Sequence, residues 1–208
     1  MLSTKNLRFS YQSDHELKFP DIKLSSDEQL LMLGPSGAGK STLLHLLAGI
    51  LRPQEGSIWI NQTEITRLST NKMDHFRGLN IGLIFQRPHF VSALTIGEHL
   101  ELVRYLVKSN KTRHDFDNML DSMGILGLKS KKPSSLSIGE QQRAAIAIAL
   151  VNTPGVILAD EPTSSLDDEN CDKVISLLMN QAALSKSSLV LITHDHRVKG
   201  HFQKSLML

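Results

Sequence analysis

The sequence predicts an α/β fold built on a largely parallel core sheet. Short apolar runs that suit buried strands alternate with segments in which apolar residues recur at helical spacing, and this alternation is typical of parallel sheets. From about residue 94 to 128, helical patterns follow one another with no strand between them. Such a stretch indicates a helical lobe inserted into the sheet domain. A length of 208 residues, of which 40% are hydrophobic and 21% charged, suits one sizeable globular domain.

Aliphatic and β-branched runs mark the predicted strands, at residues 6–11, 17–24, 29–34, 56–60, 81–86, 155–160 and 188–193. Helical spacing marks the predicted helices, around residues 43–47, 96–107, 116–123 and 174–178. The polar, basic stretch 128–135 is the expected link from the lobe back to the core. We therefore expect one domain over residues 1–208, with a core at about 1–93 and 136–208 and a lobe at about 94–135.

Composition and charge restrict the kind of partner and the compartment. The formal net charge of +2 is too small to indicate binding to nucleic acid or to an acidic membrane surface, so no nucleic-acid partner is expected. The single cysteine, Cys171, excludes an internal disulfide and suits a reducing compartment. No apolar run approaches the roughly 18 residues that a membrane span requires, and the N-terminus lacks a signal-peptide core. We expect a cytoplasmic protein that depends on another polypeptide for any membrane span.

The segment GPSGAGKST, at residues 34–42, fits the phosphate-binding pattern G-x-x-x-x-G-K-[ST] and lies between an apolar strand and an apolar helix. Glycines let backbone N–H groups converge on a phosphate chain, and the helix adds the positive end of its dipole. Lys40 is expected to reach the β- and γ-phosphates, and Ser41 to offer its hydroxyl to Mg²⁺. The alternative is a glycine-rich turn without chemical function, and the flanking strand and helix argue against it. The expected phosphate-binding residues are Gly34, Pro35, Ser36, Gly37, Ala38, Gly39, Lys40, Ser41 and Thr42.

Two further apolar strands end in polar residues that suit hydrolysis. The run VILAD ends in Asp160 and is followed by Glu161, and the carboxyl end of a parallel strand should lie beside the phosphate loop. Asp160 would hold Mg²⁺, and Glu161 would polarise an attacking water. His194 follows the last strong core strand, so Lys40, Glu161 and His194 are the predicted catalytic residues. The alternatives are surface acids at a strand end and a structural histidine.

These motifs stand in an order that resembles the ATP-binding-cassette (ABC) ATPases over essentially the whole chain. The order is the phosphate loop, Gln86, LSIGEQQR at residues 136–143, ILADEP, SSLD and His194. The resemblance implies a P-loop NTPase core with a mainly parallel sheet, an N-terminal antiparallel β subdomain and an inserted α-helical lobe. It also implies ATP and Mg²⁺ as cofactors.

The resemblance further implies that a second copy of the chain completes each site. Two copies would dock head to tail around two ATP molecules at a twofold interface. Ser137, Gly139 and Glu140 of one copy would then contact the γ-phosphate held by the other, since a helix N-terminus suits an anion. Asp167 would close across the same interface. This arrangement accounts for a Ser-x-Gly turn and a polar cluster placed directly ahead of an apolar helix.

Two more nucleotide contacts are implied by the same resemblance. Gln86 matches the Q-loop residue that senses Mg²⁺ and the γ-phosphate, so the expected metal set is Ser41, Gln86 and Asp160. Tyr11, 23 residues before Gly34, stands where the family keeps an aromatic that stacks on adenine. Stacking of this kind contributes about 1–3 kcal/mol per nucleic-acid base. The alternative for Tyr11 is an ordinary strand aromatic.

Finer matches, in GEQQR, ALVNTP and LADEPTSSLD, resemble the branch that contains the lipoprotein-release, macrolide-exporter and cell-division ATPases. The expected function is the ATP-hydrolysing subunit of an ABC transporter, bound to a transmembrane permease at the inner face of the cell membrane. Two residues depart from the family pattern. Ile138 replaces the middle glycine of the family's signature motif, which is LSIGEQQR (residues 136–143) here, and Ile148 replaces an arginine. Because a β-branched residue is unfavourable at positive φ, Ile138 is expected to disturb the geometry of the signature turn.

Two other functions remain open at this level. One is a non-transport ABC ATPase of DNA repair, chromosome organisation or translation. Chromosome-type members carry a long coiled coil between the phosphate loop and the LSIGEQQR motif. The 95 residues between Lys40 and Leu136 (41–135) leave no room for one. Translation-type members join two cassettes in one chain, whereas one is found here. The other function is a low-turnover ATP-binding scaffold, which Ile138 keeps open and Glu161 argues against.

Overall fold

Strands and helices alternate along most of the chain in this computed structural model, which describes residues 1–11, 16–164 and 166–208. The strands are β1 (Leu2–Phe9), β2 (Leu17–Lys18), β3 (Lys23–Leu24), β4 (Gln29–Leu33), β5 (Glu55–Ile60), β6 (Thr63–Glu64), β7 (Ile81–Ile84), β8 (Val156–Asp160), β9 (Ser188–Thr193) and β10 (Lys204–Met207). The α-helices are α1 (Lys40–Leu47), α2 (Thr70–Asn80), α3 (Ile96–Val107), α4 (Arg113–Ser122), α5 (Ile138–Leu150) and α6 (Asp168–Ser185).

Five parallel strands form the central sheet, in the order β10-β4-β9-β8-β7. Every residue of β8 and β9 is buried, as expected for parallel strands that are covered on both faces. The carboxyl ends of neighbouring strands lie level, since Leu33 pairs with Thr193 and Asp160 pairs with Ile192. The segments that follow β4, β7, β8 and β9 therefore leave the sheet at one edge.

The second sheet is antiparallel and comes mainly from the N-terminal part of the chain. Strand β1 pairs with β2, β3 and β5, and β5 pairs with β6. The sequence predicts one strand over residues 17–24, but the structure has two short strands, β2 and β3, with Pro20 between them. Proline has no N–H to donate and rarely occupies a strand interior. The parallel sheet, the antiparallel sheet and the helices together confirm the predicted fold class.

Helices α3 and α4 occupy the segment predicted to form the lobe. Each begins with a capping box, formed by Thr95 with Glu98 and by Thr112 with Asp115, which satisfies N–H groups that have no partner inside the helix. Buried apolar residues of both helices join those of β4, β7, β8, β9, α5 and α6 in one core. The boundaries of the lobe, at about residues 94 and 135, stay a prediction.

The sequence does not predict α2, β6 or β10. Helix α2 buries only Met73, so it lacks the apolar periodicity that identifies an amphipathic helix. Strand β10 lies at the edge of the parallel sheet and has no fully buried residue. Strand β7 ends at Ile84, two residues earlier than predicted, which leaves Gln86 in the following loop.

Arg77 of α2 holds the C-terminal end of α1. Its Nε donates to the carbonyl oxygen of Ala48 at 2.8 Å, and its Nη2 donates to that of Gly49 at 2.8 Å. Its Nη1 pairs with Asp74, also at 2.8 Å. A cation at this end of a helix complements the helix dipole and satisfies carbonyl groups without intrahelical partners. Because α1 carries the phosphate loop at its other end, the contact fixes the helix that orients the loop.

We expect Arg77→Ala to lower the free energy of unfolding by about 1–2 kcal/mol, because it removes the carbonyl contacts together with the charge at the helix end. Arg77→Lys should recover only part of this loss, since one ammonium group cannot reproduce the fixed pair of guanidinium donors. Urea denaturation followed by circular dichroism measures the change. Asp74→Asn is the matched control, because it breaks the ion pair and leaves both carbonyl contacts. Equal losses in Arg77→Ala and Asp74→Asn would assign the effect to the ion pair alone.

Candidate functional site

A cleft of about 990 Å³ lies at the carboxyl edge of the parallel sheet. It forms there because the segments after β4, β7 and β8 and the residue after β9 all leave the sheet at this edge. Most of the predicted nucleotide-binding residues line it, together with Leu17, which the sequence analysis did not identify. The lining residues are Tyr11, Leu17, Pro35, Ser36, Gly37, Gly39, Lys40, Ser41, Thr42, Gln86, Glu161 and His194.

The phosphate loop turns through two left-handed glycines, Gly37 at φ 85° and Gly39 at φ 86°. Glycine adopts this conformation without the steric cost that a side chain would add. Gly39 is also the N-cap of α1, where no side chain caps the helix and the first turn has no acidic residue. The N–H groups of the helix start are therefore free of side-chain caps, an arrangement that suits a phosphate group.

Lys40 is nearly buried, with 6% of its surface exposed. Its ammonium group donates to the carbonyl oxygens of Gly34, at 2.9 Å, and Pro35, at 2.8 Å. No ion pair joins Lys40 to a carboxylate within residues 1–11, 16–164 and 166–208. Neutral carbonyl partners hold the ammonium in place without cancelling its charge, so the loop offers an anion a positioned cation.

Asp160 ends β8 and is largely buried. Burial raises the pKa of its carboxyl above the ordinary value, and a hydrogen bond with Ser41 opposes that rise. A nearby cation is favourable for a carboxylate whose charge is poorly solvated. Across the described part of the chain, no three His, Cys, Asp or Glu side chains group as a metal site. One hydroxyl and one carboxylate nevertheless fit Mg²⁺, which usually keeps several waters and binds few protein groups beside phosphate oxygens.

Glu161 stands at the centre of a polar group that spans three loops. Its Oε1 accepts a hydrogen bond from Nδ1 of His194 at 2.7 Å, and its Oε2 lies 3.5 Å from Nε2 of Gln86. The same amide nitrogen of Gln86 donates to the hydroxyl of Ser164 at 3.2 Å. Glu161 has a left-handed backbone, with φ 45°, and its N–H donates to the carbonyl oxygen of Ile192 at 2.8 Å. Strained backbone of this kind concentrates at functional sites.

Tyr11 lies two residues beyond the end of β1, at the rim of the cleft. Its hydroxyl is 3.1 Å from the hydroxyl of Thr42, and its ring meets that of Phe9 edge to face at 4.8 Å. The side chain is 64% exposed. Tyr11 therefore combines a polar contact to the phosphate-loop helix with ring surface open to a ligand. The interpretation as an ordinary strand aromatic does not fit a position outside the strand.

The signature residues lie in a different depression of the same chain. It has a volume of about 610 Å³ and is formed by the start of α5 and the start of α6. None of its lining residues lines the nucleotide cleft, so one chain alone does not bring the two predicted sets together. The lining residues are Ser137, Ile138, Gly139, Glu140, Arg143, Leu166, Asp167 and Asn170.

The start of α5 is closed by a capping box of its own residues. The backbone N–H and the hydroxyl of Ser137 both donate to Oε2 of Glu140, each at 2.7 Å. The expectation that Ile138 disturbs this turn is wrong. Ile138 is the first residue of α5 and is absent from the residues with positive φ, so an isoleucine meets no backbone conflict there. Its side chain points outward and is 63% exposed.

Sequence reasoning did not identify several groups that shape the cleft. Ser164 holds the amide of Gln86, and Leu17 lies beside Gly39, where an added Cβ would approach its Cδ1 to 3.4 Å. His45 opposes the rise that burial causes in the pKa of the Asp160 carboxyl. Leu17 and His45 belong to none of the quoted motifs, and Ser164 belongs to SSLD but was assigned no role there, so only the three-dimensional arrangement reveals their places in the cleft.

The chain is similar to ABC transporter ATPases in sequence and in structure. Residues 17–164 match the family model described as ABC transporter. The lipoprotein-releasing system ATP-binding protein LolD of Saccharophagus degradans is 34% identical over 181 residues, which cover 86% of this chain and 79% of that protein. LolD of Legionella pneumophila (strain Paris) is 33% identical over 207 residues, which cover 95% and 91% of the two chains.

Among solved structures, the dimeric post-hydrolysis state of the ATP-binding cassette MJ0796 bound to ADP and Pi matches with a TM-score of 0.90 at 30% identity, covering 100% of this chain and 94% of that one. In the described ranges, none of the helices combines the length and apolarity needed to cross a membrane. The relatives do not favour a DNA-repair or translation ATPase. The chain belongs to the ABC transporter family, as an ATP-binding subunit that hydrolyses ATP.

Proposed function

We propose that this ABC ATPase binds Mg·ATP in the cleft at the sheet edge and uses its hydrolysis to drive a separate transmembrane permease. The observation that carries the proposal is the convergence of the phosphate loop with Gln86, Glu161 and His194 in one cleft. A phosphate-binding loop alone would support binding. A carboxylate and a histidine at hydrogen-bond distance beside it add the groups that hydrolysis requires.

Nucleotide binding is assigned to three parts of the cleft. The ring of Tyr11 stacks on adenine, and residues 34–42 enclose the phosphates with backbone N–H groups. Lys40 exchanges a carbonyl contact for the β- and γ-phosphates. Ser41, Asp160 and Gln86 would hold Mg²⁺, which would neutralise charge that develops on the phosphates.

Glu161 is the proposed base for hydrolysis. Its carboxylate orients the attacking water and accepts its proton, while the ring of His194 holds the carboxylate from one side through the 2.7 Å contact. Gln86 approaches the same carboxylate from the other side at 3.5 Å. Because Gln86 lies on the loop between β7 and α3, a movement of that loop would change the contact between Gln86 and the carboxylate of Glu161.

A second copy of the chain completes each site in this proposal. Ser137, Gly139 and Glu140 of one copy face the γ-phosphate held by the other, and Asp167 closes across the interface. The separation of the signature depression from the cleft within one chain supports this assignment. The related cassette MJ0796 is described as dimeric, which supports self-association here.

The LolD relatives, whose name describes a lipoprotein-releasing system, support the proposed permease partner and branch. We infer a role in lipoprotein release or a related export process, at the inner face of the cell membrane. The permease is assigned to the surface around residues 86–99, where Arg87 and Phe90 follow the Q-loop glutamine. We further propose that residues 94–135 act as a lobe that moves against the core formed by residues 1–93 and 136–208.

We expect Glu161→Gln to keep ATP binding and to lower kcat by about 10²–10⁴, since an amide keeps the shape of the carboxylate but cannot accept the proton. Hydrolysis releases the closed dimer, so this variant should accumulate as an ATP-bound dimer in size-exclusion chromatography with light scattering. Lys40→Ala is the contrasting control. It should lose turnover by about 10²–10³ or more and should also bind ATP poorly, because it removes the positioned cation.

Near-normal turnover in Lys40→Ala would contradict the assignment of the phosphate loop. A Glu161→Gln chain that stays monomeric at saturating Mg·ATP, while the wild type hydrolyses ATP, would contradict both the base and the shared site.

We expect Ile138→Ala and Ile138→Gly both to raise ATP hydrolysis in the absence of a permease. The exposed side chain lies on the surface assigned to the second copy, so its removal relieves crowding without opening a cavity in the core. Glycine also weakens a helix by about 0.5–1 kcal/mol relative to alanine, so Ile138→Ala should be the faster of the two. Steady-state kcat measures the effect. Reduced kcat in both variants, with ATP binding intact, would show that the isoleucine supports the closed site.

A further inference from the structure

Arg197 lies three residues after His194, in a short 3-10 helix formed by residues His196–His201. Its Nε donates to Oδ1 and Oδ2 of Asp195 at 3.0 and 2.9 Å, and its Nη2 donates to Oδ2 at 2.6 Å. The backbone N–H of Arg197 also donates to Oδ1 at 2.9 Å. The Asp195 carboxylate is thus bound on both oxygens, and it fixes the conformation of the chain directly after His194.

The same guanidinium reaches a second element. Its Nη1 donates to the carboxylate of Asp168, the first residue of α6. Asp168 directly follows Asp167, which caps α6 by accepting a hydrogen bond from the N–H of Asn170 at 2.8 Å. One side chain therefore joins the residue after His194 to the residue after Asp167.

A second contact and a buried side chain strengthen this junction. Nε2 of His201 lies 3.2 Å from Oδ1 of Asp172, one helical turn beyond Asp168. Between them, Val198 is 1% exposed and belongs to the core cluster that also contains Cys171 of α6. The 3-10 helix is thereby held on the first two turns of α6 by two polar contacts, and Val198 is buried in the same core as α6.

We propose that Arg197 is a positioning residue that makes His194 and Asp167 move as one unit. The inference rests on the proposed function, in which His194 orients the base of its own site and Asp167 closes the site of the second copy. We call the contacts from Arg197 to Asp195 and to Asp168 the Arg197 bridge. Under that assignment, this bridge is the physical link between the two sites of the dimer. Closure at one interface then sets the position of the histidine at the neighbouring γ-phosphate.

The competing explanation is that the contact between Arg197 and Asp168 is a simple surface ion pair. Asp168 is exposed, and exposed pairs contribute little to stability. The two explanations differ in what they predict. If the ion pair has no role in hydrolysis, breaking it leaves turnover unchanged. If the bridge positions His194, breaking it changes turnover with little change in stability or in ATP affinity.

The decisive comparison is Asp168→Asn against Glu169→Gln. Both remove one negative charge from the first turn of α6, so both weaken the helix dipole interaction equally. Glu169 pairs with Lys173 on the same helix at 2.6 Å and does not reach the 3-10 helix. We expect Asp168→Asn to lower kcat for ATP about five- to tenfold, a coupling of the size that links two sites in many proteins. KM for ATP should change less than twofold, and Glu169→Gln should keep the kcat of the wild type.

Conservative variants separate geometry from charge. Asp168→Glu keeps a carboxylate that can still meet the guanidinium, so it should retain most of the kcat. Arg197→Lys keeps the charge but offers no fixed fork for Asp195 and Asp168 together, so it should lose as much kcat as Asp168→Asn. Equal kcat in Asp168→Asn and Glu169→Gln, or full activity in Arg197→Lys, would overturn the proposal.

Hydrogen exchange of the nucleotide-free chain tests the bridge without reference to hydrolysis. Amides of residues 194–201 should exchange faster in Asp168→Asn than in Glu169→Gln or the wild type, and unchanged exchange would refute the bridge as a positioning contact. If the wild type does not hydrolyse ATP, the proposed function fails, while the exchange comparison still decides whether Arg197 holds the segment after His194.

Discussion

The alignment of the parallel strands at one edge is the constraint on which the rest of the molecule depends. Strands β8 and β9 are buried along their whole length, so their only route to polar groups and solvent is at their ends. Register pairs place the ends of β4 and β9 together, and those of β8 and β9 nearly so. The segments after β4, β7 and β8 and the residue after β9 all deliver functional groups to the same cleft. The apolar content of the strands thus determines where the polar chemistry is found.

The backbone of Glu161 shows how closely core and site are joined. Its left-handed φ of 45° is unfavourable for a residue with a side chain, and the surrounding structure holds it in place. The N–H group bonds to the carbonyl of Ile192 in the neighbouring strand, and the carboxylate bonds to His194. Both contacts come from β9 or the residue that follows it, so packing of the buried sheet supports the strained turn. The side chain held by this turn lines the cleft.

Much of the fold and most of the candidate site could be predicted from the sequence, because each motif has a fixed place relative to a strand. The glycines before Lys40, the acids after VILAD and the histidine after SLVLIT all follow apolar runs that are recognisable on their own. Helix α2 was not predictable in this way, since it buries only Met73. Polar contacts between residues far apart in the sequence could not be predicted either. Arg197 and Asp168 are 29 positions apart and belong to no motif, so their pairing is decided by how α6 packs against the last core strand.

The signature turn also shows that a motif can be recognised from the sequence while the hydrogen bonds among its residues cannot. The sequence places Ser137 and Glu140 at a helix start but does not say whether they meet. In the structure the carboxylate accepts both the hydroxyl and the N–H of the serine, and a hydroxyl has one proton to donate. The isoleucine at position 138 takes an ordinary helical conformation, because the first position of a helix makes no demand for a left-handed residue.

The N-termini of α1 and α5 consequently differ in charge. The start of α1 has a glycine cap and no acidic residue in its first turn, whereas the start of α5 already holds the carboxylate of Glu140 against its donors. An incoming phosphate meets unneutralised N–H dipoles at α1 but must displace an internal anion at α5. We therefore expect free phosphate to bind in the cleft rather than at the signature residues. Only an anion that is delivered and held by other contacts can compete for the donors of Ser137, which makes the second helix start selective without any additional side chain.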